Sequence, residues 1–222
     1  MKMQHKYYGL YEAYIKRIFD CIIASMALVV LSPILLITAL LVHIKLGSPV
    51  LFIQERPGRN EKIFKLYKFR SMSDAKDARG NLLPDTERLT RFGRVLRSTS
   101  LDELPELLNI IKGDMSIIGP RPLAKQYLPY YTEEERHRHD VRPGLSGLAQ
   151  IHGRNDLQWE KRFQYDLQYV QHITFLNDLS IFFKTIERVI KREHISVRGE
   201  GSLIDFDLYR IGQRKKKNED KN

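Results

Sequence analysis

Twenty-one consecutive residues, Ile22 to Val42, carry no charged side chain. As a straight helix they would reach roughly 31 Å, about the thickness of a bilayer's hydrocarbon core. A chain of this kind must bury the run in a core, give it to lipid or lose it. Ser32-Pro33 stands at its middle. Proline offers no N–H to the carbonyl of Val29 and its ring crowds that turn, costing about 3 kcal/mol in a helix interior. A neighbouring hydroxyl such as Ser32 can serve the freed backbone. The flanks are balanced: Lys2, Lys6, Lys16 and Arg17 precede the run, and Lys45, Arg56, Arg59 and Lys62 follow it. Positive flanks stay in the cytoplasm, so equal flanks favour a helix–break–helix that enters and leaves by one face; a kinked spanning helix remains open. A secretory signal fits less well, because the run is long and His43 to Pro49 has no small-residue cleavage site. The segment is expected to stay.

Upstream, Tyr7, Tyr8, Tyr11, Tyr14, Ile15, Ile18 and Phe19 recur at helical spacing, with Lys16 and Arg17 between them. Tyrosines and basic residues suit the headgroup zone, and an amphipathic helix packed on the domain is the alternative. The excess of 37 basic over 27 acidic residues, a net +10, calls for an anionic partner: nucleic acid, an acidic membrane or a phosphorylated substrate. A single cysteine, Cys21, excludes an internal disulfide and a cysteine metal cluster. At 222 residues there is room for one domain and an appendage.

Lys62 to Met72 reads as a strand whose period of two puts Phe64, Leu66, Lys68 and Arg70 on one face. Residues 73–90 read as a polar loop, and 101–112 as a helix ended by Lys112-Gly113. Gly119 to Gly153 is rich in Gly and Pro, which predicts ordered loops around a site, with a short helix near Glu133–His139. Residues 157–171 read as helical. Leu179, Phe182, Phe183, Ile186, Val189 and Ile190 make an apolar helical stripe opposite Lys184, Arg188, Lys191 and Arg192, suited equally to a bilayer surface or a core.

Ser100-Leu101-Asp102-Glu103 is the densest chemical signal. Its plainest meaning is a capping box, Ser at the N-cap and Glu three residues on. The functional alternative is that two carboxylates at a helix start hold a divalent cation and supply a nucleophile for phosphoryl transfer. Gly119-Pro120-Arg121-Pro122 fixes an arginine between prolines, and arginine's planar fork suits phosphate oxygens. Arg97, Lys68 and Arg70 could add positive charge.

Taken together, Lys16-Arg17-Ile18-Phe19-Asp20, Ser32-Pro33, Gly47-Ser48-Pro49-Val50, Gln54-Glu55-Arg56-Pro57-Gly58 and Lys68-Phe69-Arg70-Ser71-Met72 resemble the bacterial sugar transferases, small monotopic polyprenyl-phosphate phosphoglycosyl transferases. The resemblance continues through Leu101-Asp102-Glu103-Leu104-Pro105, Lys112-Gly113-Asp114-Met115-Ser116, Gly119-Pro120-Arg121-Pro122 and Arg142-Pro143-Gly144 to about Arg192. It implies an α+β fold, mainly helical with a short β element. Residues 1–46 would form the amphipathic N-terminus and a re-entrant segment broken at Ser32-Pro33. Residues 47–205 would form a catalytic domain on the cytoplasmic face of the inner membrane, with amphipathic interfacial helices, and 206–222 a basic, disordered tail. The chain looks like the minimal form of the family, without extra N-terminal membrane helices.

The implied reaction has Asp102 attacking the β-phosphorus of a UDP-sugar, with Mg²⁺ at Asp102 and release of UMP, before undecaprenyl phosphate takes the sugar phosphate. Glu103 would assist, Lys68, Arg97 and Arg121 would hold phosphate, and Arg154 and Asp166 look like further family site positions. The implied partners are UDP-sugar, undecaprenyl phosphate and the bilayer, with a homodimer left open and no nucleic acid. Lys65-Leu66-Tyr67-Lys68-Phe69-Arg70 imitates a nucleic-acid platform for six residues only. Leu148 and His152 depart from the family's usual Trp and Asn, which bears on sugar or nucleotide preference. An N-acetylated hexosamine, N,N′-diacetylbacillosamine among them, is the expected sugar; galactose and glucose stay open.

Overall fold

The computed structural model describes residues 9–153, 157–191 and 204–219. A π-helical turn, Tyr11–Ile15, leads into α1 (Lys16–Val30), which breaks and resumes as α2 (Ser32–Leu46). There follow β1 (Leu51–Pro57), β2 (Ile63–Phe69), α3 (Asp85–Arg88), α4 (Arg91–Ser98), a 3-10 turn at Leu101–Glu103 and α5 (Glu106–Lys112). The second half holds β3 (Ser116–Ile118), a 3-10 stretch Lys125–Tyr130, α6 (Glu133–Arg136) and β4 (Gly144–Ser146). Four helices finish it: α7 (Leu148–Ile151), α8 (Trp159–Gln171), α9 (Phe175–Lys191) and α10 (Phe206–Glu219). The architecture is mainly helical α+β, as expected.

The break in the apolar run has a local cause. Ser32 Oγ donates to the Val29 carbonyl at 2.7 Å, the acceptor that Pro33 cannot serve. The two limbs bend by 64°. No single described helix is long and apolar enough to cross a membrane, but the bent pair meets that test together. Most of its apolar side chains face outward, Val29 at 73% exposure and Leu36 at 71%.

Lys16 and Arg17 are turned onto the rest of the chain. Arg17 donates to the carbonyls of Ile110 and Ile111 at 2.5 and 2.8 Å, filling the orphan acceptors at the end of α5. Lys16 pairs with Asp178 of α9 at 2.5 Å. Asp20 completes the anchor, accepting from Ser116 Oγ at 2.6 Å and the Ile117 N–H at 3.1 Å. These contacts tie the helix pair to the rest of the fold, because buried carbonyls and carboxylates there need donors.

β1 and β2 pair antiparallel, Leu51 opposite Phe69 and Pro57 opposite Ile63. The strand expected over Lys62–Met72 is β2; its partner β1 is not among the elements that the sequence predicts. Leu66 packs with Ala24, Leu107, Ile110 and Met115, which joins α1, β2 and α5 in one core cluster. Asn109 of α5 locks the register: it accepts from the Tyr67 N–H at 3.1 Å and donates to the Lys65 carbonyl at 2.7 Å. Gly93 lets α4 lie against the end of β2, for a Cβ there would stand 1.8 Å from the Ser71 carbonyl oxygen.

Two expectations are corrected. The helix read over 101–112 is split by Pro105, which occupies the N-cap of α5, where its ring crowds no helical carbonyl. Its end is as read, with Gly113 at φ +91° accepting the left-handed turn. The basic tail 206–222, read as disordered, is helical over Phe206–Glu219 and fastened by Phe206, fully buried among Tyr127, Tyr131, Trp159 and Phe163. Of the α9 stripe, for which surface and core stood equally, Leu179, Phe182, Phe183 and Ile186 are exposed and Val189 is half-buried, while Asp178 and Ile181 turn inward. Tyr169 decides that rotation by donating to Asp178 at 2.7 Å.

Candidate active site

Asp102 and Glu103 sit on the 3-10 turn that follows Ser100. The capping box is absent. Ser100 takes a left-handed backbone (φ 56°, ψ 17°), uncommon for a residue with a side chain, and makes no side-chain cap bond. Its carbonyl accepts from the Glu103 N–H at 3.2 Å, which tightens the turn into 3-10 geometry. Both carboxylates are thereby free to face the β2 side.

There, Glu103 Oε1 accepts from Lys68 Nζ at 2.8 Å and from Arg121 Nη2. Lys68 also meets Glu106 Oε1 at 3.0 Å. Burial pushes the Glu103 acid up, but Arg121 and Lys68 outweigh it and hold the carboxyl well below the usual range. Asp102 goes the other way. Burial first, then the neighbouring Glu103 charge, raises it to about 6, against the pull of Lys68, Arg97 and Arg121. Glu106, 2% exposed, is pushed by burial and Glu103 to about 7. Among the described residues the Asp102 carboxylate makes no hydrogen bond or ion pair; its partner acid is tied twice. Adjacent acids driven apart in this way are what a division between nucleophile and helper requires.

Lys68, Asp102, Glu103, Arg97, Arg121 and Asp166 all line one open cavity of about 1010 Å³. Arg97 donates to Ser71 Oγ at 3.0 Å while its charge reaches Asp102. Asp166 Oδ2 accepts from Arg138 Nε at 3.0 Å and Nη2 at 2.8 Å. Arg70 turns to the Ser48 carbonyl and Asp74. Arg154 lies outside the described residues. Leu148 packs on a core cluster and His152 stacks on Tyr165 at 4.4 Å, and neither reaches the cavity wall.

Sequence reasoning missed Glu106, Arg138 and Gln150. Glu106 falls three residues after Glu103 within the stretch that the sequence reads as one helix, and that spacing could have shown it. Arg138 donates to the Arg121 carbonyl at 2.8 Å and so orders the Pro-Arg-Pro loop, a long-range contact with no local signal. Gln150 lines the cavity with neither amide atom hydrogen-bonded among the described residues.

Magnesium takes octahedral oxygen ligands, one or two of them carboxylates and the rest phosphate and water. Among the described residues no three His, Cys, Asp or Glu side chains are placed to hold a metal ion by themselves. The unengaged Asp102 carboxylate fits a site of that open kind, completed by substrate.

Residues 11–192 match the family model described as bacterial sugar transferase. The chain is 51% identical to the uncharacterized sugar transferase EpsL of Bacillus subtilis, over 82% of this chain and 90% of that protein. It is 36% identical to the undecaprenyl-phosphate galactose phosphotransferase of Salmonella typhimurium, over 81% of this chain and 41% of that longer protein. It is 41% identical to the UDP-glucose:undecaprenyl-phosphate glucose-1-phosphate transferase of Klebsiella pneumoniae, over 77% of this chain and 39% of that protein. A match spanning both the helix pair and every element that carries the acid cluster leaves one assignment: this chain belongs to the bacterial sugar transferase family.

Proposed function

We propose that this chain transfers a sugar-1-phosphate from a UDP-sugar to undecaprenyl phosphate, the first step in building a polysaccharide. The observation that carries the reading is the Asp102 carboxylate, unengaged beside a Glu103 held by Lys68 and Arg121 in a cavity lined with cations. An Asp102 oxygen attacks the sugar-bearing β-phosphorus. The bond from that phosphorus to the bridging oxygen breaks, and UMP leaves with the oxygen and its electron pair. An oxygen of undecaprenyl phosphate then attacks the same phosphorus and frees the carboxylate. Arg121, Lys68 and Arg97 hold phosphate oxygens as charge moves between them. Asp102 would hold Mg²⁺, which when bound offsets the diphosphate charge. Asp166 is assigned to the same pocket through its hold on Arg138, and Arg154, outside the described residues, keeps the role that the family resemblance implies.

The lipid acceptor agrees with a re-entrant helix pair. We read α1 and α2 as dipping into the inner membrane from the cytoplasmic side, with the exposed α9 stripe on the interface beside them. Phe19 and Phe175 meet at 6.0 Å and make the two apolar surfaces continuous. An N-acetylated hexosamine is our first choice of sugar, ahead of galactose and glucose.

Asp102→Asn should abolish UMP release and covalent labelling by radiolabelled UDP-sugar, a loss on the order of 10⁴-fold or more. Turnover at the parental rate would remove Asp102 as nucleophile.

A further inference from the structure

Two elements bring the charged groups of the site together. Glu103 and Glu106 stand at the start of α5, and Arg121 stands on the loop that follows β3. The ion pair between Arg121 and Glu103 therefore depends on how β3 sits against α5. One turn of α1 holds both. Arg17 donates to the Ile110 and Ile111 carbonyls at the far end of α5, and Asp20, three residues on, takes β3. Residues at that spacing share a helix face.

β3 has one free side. It pairs only with β4, Ser116 opposite Gly144 and Ile118 opposite Ser146. The Ile117 N–H between them faces the other way, as alternate residues of a parallel strand do. Left buried without an acceptor it would be costly. Asp20 Oδ1 accepts from it at 3.1 Å, and Oδ2 accepts from the Ser116 hydroxyl at 2.6 Å. A carboxylate of the membrane helix thus stands where a third strand would.

The stretch from Ile117 to Arg121 has little slack. A Cβ on Gly119 would lie 2.5 Å from the Arg142 carbonyl oxygen. The Pro120 carbonyl accepts from the Gly144 N–H at 3.0 Å, and prolines on both sides of Arg121 fix their own φ. A shift of β3 would pass along to Arg121 instead of being absorbed. Asp20 itself is 5% exposed and is not among the residues lining the cavity, so it acts without touching substrate.

We infer that Asp20 is a positioning residue for the transfer: by holding β3 on α1 it sets the Arg121 guanidinium against Glu103 and the diphosphate. This rests on the function proposed above.

The test is a double-mutant cycle in the full chain, reconstituted in phospholipid nanodiscs. UMP release is measured with whichever of UDP-glucose, UDP-galactose and their N-acetylated counterparts the parent uses best. Asp20→Ala should lower kcat/KM on the order of 10- to 100-fold, the scale of a misplaced group. With Arg121→Ala already present, the same change should cost less than about twofold, because the group it positions is gone. Asp20→Asn keeps an acceptor for the Ile117 N–H and should recover the parental rate to within about threefold. Arg121→Lys supplies the second background if Arg121→Ala falls below detection. Asp20→Glu, which keeps the charge but lengthens the arm, replaces Asp20→Ala if that variant does not fold, with the same losses expected. An equal loss in both backgrounds would show general support of the fold and overturn the inference. So would a parental rate in Asp20→Ala, or in Asp20→Glu where it stands in, or an Asn variant as impaired as the Ala. A parent inactive on every UDP-sugar would instead bring down the proposed function, and this inference with it.

Discussion

The bent helix pair and the acid cluster break the same rule in opposite directions. In α1 and α2 large apolar side chains stand in the open, Val29 and Leu36 among them, while around Lys68 the chain buries Glu106 to 2% and Asp102 to 8% exposure. Leaving a Val or Leu outside forfeits about 1.5–3 kcal/mol each, and a buried charge is tolerable only when paired. The cluster has its internal pairings, save for Asp102. The helix pair has none for its outer face, although Arg17, Asp20 and Lys16 fasten its inner one. Each irregularity thus points to an absent companion, hydrocarbon for one and a phosphate-bearing ligand for the other. An enzyme that moves a sugar phosphate from a water-soluble nucleotide to a lipid phosphate needs both.

Lys68→Met is the hardest test of the buried half. It removes the cation shared by Glu103 and Glu106 and leaves an uncompensated buried charge, worth about 3–5 kcal/mol of destabilisation. Chemical denaturation measures it. An unchanged midpoint would mean that the cluster is wetter than its packing implies.

A pH series comes next. Asp102 must be ionised to attack, so kcat/KM should fall about tenfold per pH unit below about 6. Stability should move the other way. Asp102 and Glu106 have acids raised by burial, so the folded state binds their protons more tightly than the unfolded chain. Their contribution to stability is full below the unfolded values and is lost as pH rises through about 6 and 7. Glu103, with its acid lowered, contributes above its unfolded value and loses that as pH falls. Rising activity with falling stability between pH 5 and 7, followed by UMP release and thermal melting, is the expected signature. Parallel slopes would break it.

The smallest energetic change probes the exposed half. Pro33→Ala restores an N–H to the Val29 carbonyl and removes the reason for the bend, with a stability gain of at most about 3 kcal/mol. A cysteine at Gly9 should be sealed from outside reagents in the parent and reachable once the helix straightens. Labelling in the parent would sink the re-entrant reading.

Much of this contrast was legible beforehand. The Ser32-Pro33 break, the Gly113 cap, the alternation along β2 and the helix through Trp159–Gln171 all follow from interactions within a few residues, which sequence spacing reports directly. The membership of Asp102, Glu103, Lys68 and Arg121 in one site came from a family resemblance, not from spacing. Local reasoning by itself preferred a capping box at Ser100, which the left-handed turn there abolishes.

Sequence alone determined where the chain could not remain helical and which stretch could not stay in water. Only the tertiary structure decided which charges cancel: Lys68 finds Glu103 across 35 residues, Arg138 steadies Arg121 across 17, and Phe206 draws a basic tail onto the cavity wall. Backbone preferences act over one or two turns and leave their mark in neighbouring letters. Burial and Coulomb pairing act through space, and their partners are known only after the chain has folded.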